Sequence, residues 1–185
     1  MVIVGLDEVG RGCWAGPLVA GAVVLSRPIH GLRDSKKLSK RQREKLSVEI
    51  ELEALAIGLG WVQPAEIDEF GLTAAVKLAM GRALDAITVD YDELIIDGNL
   101  NFFSENSKAK AVIKADDSVP AVSAASIVAK VARDSYMAEM AAQYPAYGFD
   151  QHVGYGTALH LERLKIHGVS DLHRLSFKPV AALLQ

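Results

Sequence analysis

Four acidic side chains follow apolar runs in this 185-residue chain: Asp7 and Glu8 after Val2-Ile3-Val4-Gly5-Leu6, Asp97 after Leu94-Ile95-Ile96, and Asp116 after Val112-Ile113-Lys114-Ala115. Each run has the length and composition of a buried strand. Ligands of open α/β sheets bind outside the carboxyl ends of the strands. Three such strands, parallel and adjacent, would therefore bring their terminal acids into one site. Clustered carboxylates repel one another and resist ionising unless a cation or proton intervenes, and an all-oxygen donor set suits Mg2+ or Mn2+. Acids also punctuate strand ends simply as turn residues. That plainer reading suffices for any one run, but not for all three. Asp7 and Glu8 add a geometric condition. Neighbours on a regular strand point to opposite faces, so the two share a metal site only where the chain bends.

The segment Gly10-Arg11-Gly12 follows directly. With Ala15 it imitates the dinucleotide-binding fingerprint, which keeps a non-catalytic nucleotide-binding module open as an alternative. Against it, Pro17 and a β-rich run replace the required helix, and acids stand where pyrophosphate would dock. The glycines suit close approach of backbone amides to a ligand. Lys36 and Lys37 precede a helix start, a placement useful for phosphate and equally common on a solvated surface. Tyr155, between Gly154 and Gly156, offers a ring to stack on a sugar or base, or else anchors a loop. His152, His160, His167 and His173 lack the i, i+4 spacing of a metal-binding helix, and none is assigned as a ligand. His173-Arg174 could meet phosphate but reads first as structural, and Cys13 reads as structural.

The elements that must position these residues are legible in outline. Met1–Val9 and Pro17–Leu25 read as strands joined closely enough to pair antiparallel. Ser39 is placed to cap a helix beginning at Lys40. Glu51–Val62 is read as a third strand, Pro64 as the first turn of a short helix, and Leu72–Ile87 as an amphipathic helix. Glu93–Asp97 and Ala109–Ala115 complete the strands. Val122–Met140 is a long helix whose Ser123-Ala124-Ala125-Ser126 start permits close packing. Tyr144–Thr157 reads as a loop, with helices over His160–His167 and Lys178–Gln185. Strands followed by alternating helix and strand indicate a mixed α/β sheet covered by helices.

Composition narrows the class. Half of the residues are hydrophobic and 23% are charged, with a net charge of −3, as in an ordinary globular domain. The single cysteine excludes disulfide scaffolds and cysteine-rich zinc sites. No apolar run approaches the ~20 residues that span a bilayer, and the N-terminus lacks signal-peptide character; a cytoplasmic protein is expected, monomeric by default. The charge is unevenly spread. Arg27–Lys45 holds eight bases and two acids, whereas Leu46–Glu105 holds two bases and twelve acids. A chain acidic in total can still offer a basic face to phosphates.

Several blocks, in this order, resemble type 2 ribonuclease H (ribonuclease HII): Gly5-Leu6-Asp7-Glu8-Val9-Gly10-Arg11-Gly12, Ala15-Gly16-Pro17, Asp34-Ser35-Lys36-Lys37-Leu38, Ile96-Asp97-Gly98, Lys114-Ala115-Asp116, Ala124 to Asp134, Tyr147-Gly148-Phe149, Gly154-Tyr155-Gly156-Thr157 and His173-Arg174-x-Ser176-Phe177. They extend over nearly the whole chain. The resemblance implies one RNase H-like catalytic domain over 1–185, a mixed five-stranded sheet flanked by helices, with about 144–185 forming a small helical C-terminal part. It implies an endonuclease that cuts the RNA strand of RNA–DNA hybrids. It also implies nicking of DNA 5′ to a single embedded ribonucleotide, with 3′-hydroxyl and 5′-phosphate products. By motif, Asp7, Glu8, Asp97 and Asp116 would hold two divalent ions, Mg2+ or Mn2+. Gly10, Arg11 and Gly12 would read the ribose 2′-hydroxyl, Tyr155 would stack at the RNA–DNA junction, and Lys36 and Lys37 would meet phosphate. Ala115 stands where the family usually has glycine, and Asp117 adds a second acid that could assist or replace Asp116. Another metal nuclease of the same fold, such as a junction resolvase, is the nearest alternative.

Overall fold

The computed structural model describes residues 1–184. Five strands, β1 (Ile3–Val9), β2 (Leu18–Leu25), β3 (Ala54–Val62), β4 (Glu93–Asp97) and β5 (Ala109–Val112), form one sheet in the order β3-β2-β1-β4-β5. β1 pairs antiparallel with β2, and β2 with β3. On the other side β1, β4 and β5 run parallel. The carboxyl ends of these three strands therefore lie along one edge, as the apolar runs require. The dinucleotide-binding alternative fails here, because β1 leads through a loop into an antiparallel strand and no helix follows Gly12.

Helices cover both faces. α2 (Pro64–Phe70) leads into α3 (Leu72–Asp85), whose Val76, Ala79, Met80 and Ala83 pack on Val4, Leu6, Ala20 and Ala22. On the opposite face α1 (Lys40–Glu53) and α5 (Pro120–Gln143) bury Leu46, Ile50, Ala124, Ile127 and Val128 with Val23. Ser39 and Gln42 form a reciprocal capping box at the start of α1. The small residues of α5 have a specific purpose. A Cβ at Gly5 would meet the Ala121–Val122 backbone, and one at Gly21 would meet the Ala125 carbonyl. Glycine on the strands and Ala or Ser on the helix thus let α5 lie almost directly on β1 and β2, which fixes the height of the strand end above it.

Several predicted boundaries shift. The run from Glu51 is helical to Glu53, because α1 retains its hydrogen bonding until Ala54. β5 stops at Val112 rather than Ala115; Lys114 adopts a left-handed conformation (φ 58°) and turns the chain into α4 (Ala115–Ser118). The predicted loop from Tyr144 contains α6 (Phe149–His152). Beyond it lie α7 (Ala158–His167) and α8 (Lys178–Ala181), and Gln185 lies outside the described residues. This C-terminal stretch packs on the far end of α5 through Met137, Tyr147, Phe149, Leu164 and Val180. Asp68 of α2 accepts the Leu175 and Ser176 N–H groups and ties the stretch to the opposite face. Among the described residues no helix is long and apolar enough to cross a membrane.

Candidate active site

Asp7 and Asp97 stand on the carboxyl ends of adjacent parallel strands, one residue beyond the last paired positions, Leu6 and Ile96. Asp116 reaches the same edge from the first turn of α4, not from a strand end. The expectation of three strand-terminal acids is corrected to two strand ends and one helix start, because the left-handed Lys114 ends β5 early. The Asp97 carboxylate accepts the Ala115 N–H at 2.8 Å, which docks α4 onto β4 and carries Asp116 with it. Ser123 on α5 donates to the Asp116 carbonyl at 2.7 Å.

Asp7 and Glu8 occupy a regular stretch, paired with Gly21 and Ala20 of β2. The bend that would turn both to one face is absent, and they leave the strand on opposite sides. Asp7 lies on the α5 face, its carboxylate accepting the Glu8 N–H at 2.8 Å. Glu8 accepts from Arg11 at 3.1 Å.

Electrostatics bind the four acids into one system. Burial raises the Asp7 carboxyl well above its ordinary value, and the charges of Glu8 and Asp97 push it further. Glu8 is raised by burial, with Asp97 adding to the effect and Arg11 opposing it. Asp116 is raised by burial and then by Asp97. Asp97 therefore acts on all three neighbours. Such a group favours a cation, which restores ionisation at each carboxylate. Among the described residues no three His, Cys, Asp or Glu side chains are drawn together tightly enough to hold an ion by themselves. The donor set nevertheless fits a hard divalent ion, since Mg2+ keeps waters and is commonly bound by one or two carboxylates plus substrate phosphate.

Asp97 and Asp116 open onto a cleft of ≈ 330 Å³, lined also by Asp34, Lys36, Lys37, Lys114 and Asp117.

Lys36 and Lys37 line the cleft beside these acids. Both sit in a single 3-10 turn, Ser35–Lys37, capped by Asp34. Lys37 pairs with Asp117, which lowers the Asp117 carboxyl. Asp117 is exposed and paired, whereas Asp116 is buried beside Asp97. Two other bases of Arg27–Lys45 are spent on structure. Arg27 pairs with Glu53, and Arg43 turns inward to the Ser35 and Leu38 carbonyls.

Gly10, Arg11 and Gly12 form the loop leaving β1, with Gly10 buried at φ +92° and Arg11 and Gly12 exposed. Two arginines with no exposed surface, Arg133 and Arg174, hold this loop from below. Arg133 donates to the Pro17, Ala15 and Val153 carbonyls at 2.8–3.0 Å. Arg174 donates to Gly16 and Arg11. Sequence reasoning missed Arg133, whose place in Lys130-Val131-Ala132-Arg133-Asp134 gives no local sign of the carbonyls it meets, whereas the structural reading of Arg174 holds. Tyr155 faces the same loop, bridged to Cys13; the residue is 39% exposed, and Lys130 and Arg133 lie against its ring. Burial pushes its hydroxyl up to about 12.

The family model for ribonuclease HII matches residues 4–180. The chain belongs to the ribonuclease HII family. It is a nuclease, an endonuclease of the ribonuclease H type. It is 50% identical to a ribonuclease HII of Janthinobacterium sp. (strain Marseille), over 99% of this chain and 88% of that protein. The fold is similar to the crystal structure of the ribonuclease H2 from Pyrococcus horikoshii OT3, with a TM-score of 0.84, 27% identity, and coverage of 99% of this chain and 97% of that one. It is also similar to Bst-RNase HIII in complex with Mn2+, with a TM-score of 0.74 at 22% identity over 100% of this chain and 69% of that one, a likeness of fold alone.

Proposed function

We propose that this ribonuclease H cleaves the RNA strand of RNA–DNA hybrids and nicks duplex DNA on the 5′ side of a single ribonucleotide, leaving 3′-hydroxyl and 5′-phosphate ends. The observation that carries the reading is the shared electrostatics of Asp7, Glu8, Asp97 and Asp116 at one sheet edge. These four acids would hold two divalent ions, Mg2+ or Mn2+. When bound, such ions lower the pKa of water and offset charge on the attacking and leaving oxygens. Asp97, which affects all three other acids, is the central ligand, and the exposed, Lys37-paired Asp117 stands outside the set.

The chain's own groups supply the selection. Gly10, Arg11 and Gly12 present backbone to the ribose, the 2′-hydroxyl being what distinguishes RNA from DNA. Arg133 and Arg174 keep that loop rigid from beneath. Tyr155 packs on the next sugar and disfavours a second 2′-hydroxyl there. Lys36 and Lys37 line the cleft and meet phosphate. The protein acts in the cytoplasm as a monomer.

The deciding experiment incubates a DNA duplex carrying one ribonucleotide with and without Mg2+ or Mn2+, and maps the nick to the nucleotide. A metal-dependent nick immediately 5′ to the ribonucleotide is expected. Cleavage without metal, or cleavage of four-way DNA junctions in preference, overturns the reading.

A further inference from the structure

Three buried imidazoles, His152, His160 and His173, stand behind Tyr155 and outside the acidic cleft. Their hydrogen bonds have a fixed polarity. The Ser170 N–H donates to Nδ1 of His173 at 2.9 Å. An amide N–H can only donate, so the neutral ring carries its proton on Nε2. That nitrogen lies 3.1 Å from Nε2 of His160, which must accept. The His160 proton is then on Nδ1, where it donates to the Tyr155 carbonyl at 2.9 Å. A donor-only group at one end and an acceptor-only group at the other leave a single tautomer for each ring.

Tyr155 needs such an anchor. Gly154 (φ +87°) and Gly156 flank it, so its neighbours impose little conformation of their own. Its N–H donates to the His152 carbonyl, and Thr157 donates to its carbonyl from within the same turn. Only the His160 bond ties that carbonyl, through His173, to the 170–174 segment. Tyr155 bridges Cys13 and His173 bridges Ala15, so both ends of the relay rest on the loop that follows Gly12.

We propose that His160 and His173 are a positioning pair that sets how the Tyr155 ring is presented, and so determine preference for the RNA-to-DNA junction. This rests on the reading that Tyr155 packs on the sugar beyond the ribonucleotide. The test compares kcat/KM on a single-ribonucleotide duplex with kcat/KM on a uniform RNA–DNA hybrid, for His160→Leu, His160→Asn, Tyr155→Ala and the Leu/Ala double variant. Losing the anchor in His160→Leu lowers the junction-to-hybrid ratio about tenfold. His160→Asn, whose amide N–H can still reach the Tyr155 carbonyl, recovers most of the ratio. In the Tyr155→Ala background His160→Leu lowers it no further. Equal losses on both substrates, or a continued loss in the double variant, overturn the proposal. If Tyr155→Ala itself leaves the ratio unchanged, the reading of Tyr155 fails and the proposal with it. If Tyr155→Ala lowers the ratio and His160→Leu does not, the pair alone is refuted. Nitrogen NMR of the unsubstituted protein gives an independent check: His160 protonated on Nδ1 and His173 on Nε2 are expected, and a proton on His160 Nε2 overturns the relay.

Discussion

Replacing Asp7 by Asn should stabilise the metal-free protein while removing its activity. Asp7 is 6% exposed and lies near the charges of Glu8 and Asp97. Only the Glu8 N–H and Ser126 relieve its ionised form. Asn keeps the volume and the acceptor for the Glu8 N–H but carries no charge. Relief of an incompletely compensated buried group is expected to give about 1–2 kcal/mol, or about 3–6 °C in Tm for a chain of this size. The sign follows from the raised folded-state pKa. The ionised carboxylate destabilises the fold fully above that pKa, and its effect fades as pH falls toward the ordinary aspartate value of about 3.9. The Tm gap between variant and unsubstituted protein should therefore be widest in mildly alkaline EDTA and close on acidification. Saturating Mg2+ should reverse the order, since an ion at 100 times its Kd adds about 2.7 kcal/mol to the protein that binds it. Cleavage should fall by about 100-fold or more, equivalent to about 2.7 kcal/mol of transition-state stabilisation. Thermal melts across pH, with and without metal, and cleavage assays test this together. A variant that melts lower in EDTA at every pH, or that keeps full Mg2+ stabilisation and cleavage, refutes the reasoning.

Arg174→Met orphans carbonyls of Gly16 and Arg11 and should cost on the order of 2–4 kcal/mol in urea unfolding; a loss well below 1 kcal/mol would show that the loop does not depend on it. Burial holds His160 and His173 at about 4, so their contribution to stability is complete above about 6.5 and is lost as pH falls toward 4. Unfolding at pH 7.5 and 5.5 should differ by about 2–3 kcal/mol from these two groups together, and a flat profile would contradict it. Hybrid binding should weaken steeply with salt, and Lys36→Ala should reduce the slope of log K against log salt by about one. An unchanged slope would remove Lys36 from the phosphate contacts.

Periodicity and turn chemistry in the sequence determined the strands, the capped start of α1, and the acids at the ends of two parallel strands. Those signals are local: a run of β-branched residues, a Ser three positions before Gln42, an acid closing an apolar run. The early end of β5 was not legible, because it turns on the left-handed Lys114, a conformation that neighbouring residues do not announce. Tertiary structure alone decided which acids share a field, since Asp7, Asp97 and Asp116 are distant in sequence and meet only where β1 and β4 end and α4 begins. It also decided the roles of Arg133, Arg174, His160 and His173. Their partners are backbone carbonyls and a second imidazole brought close by folding, and a residue's type does not specify which distant carbonyl it will face.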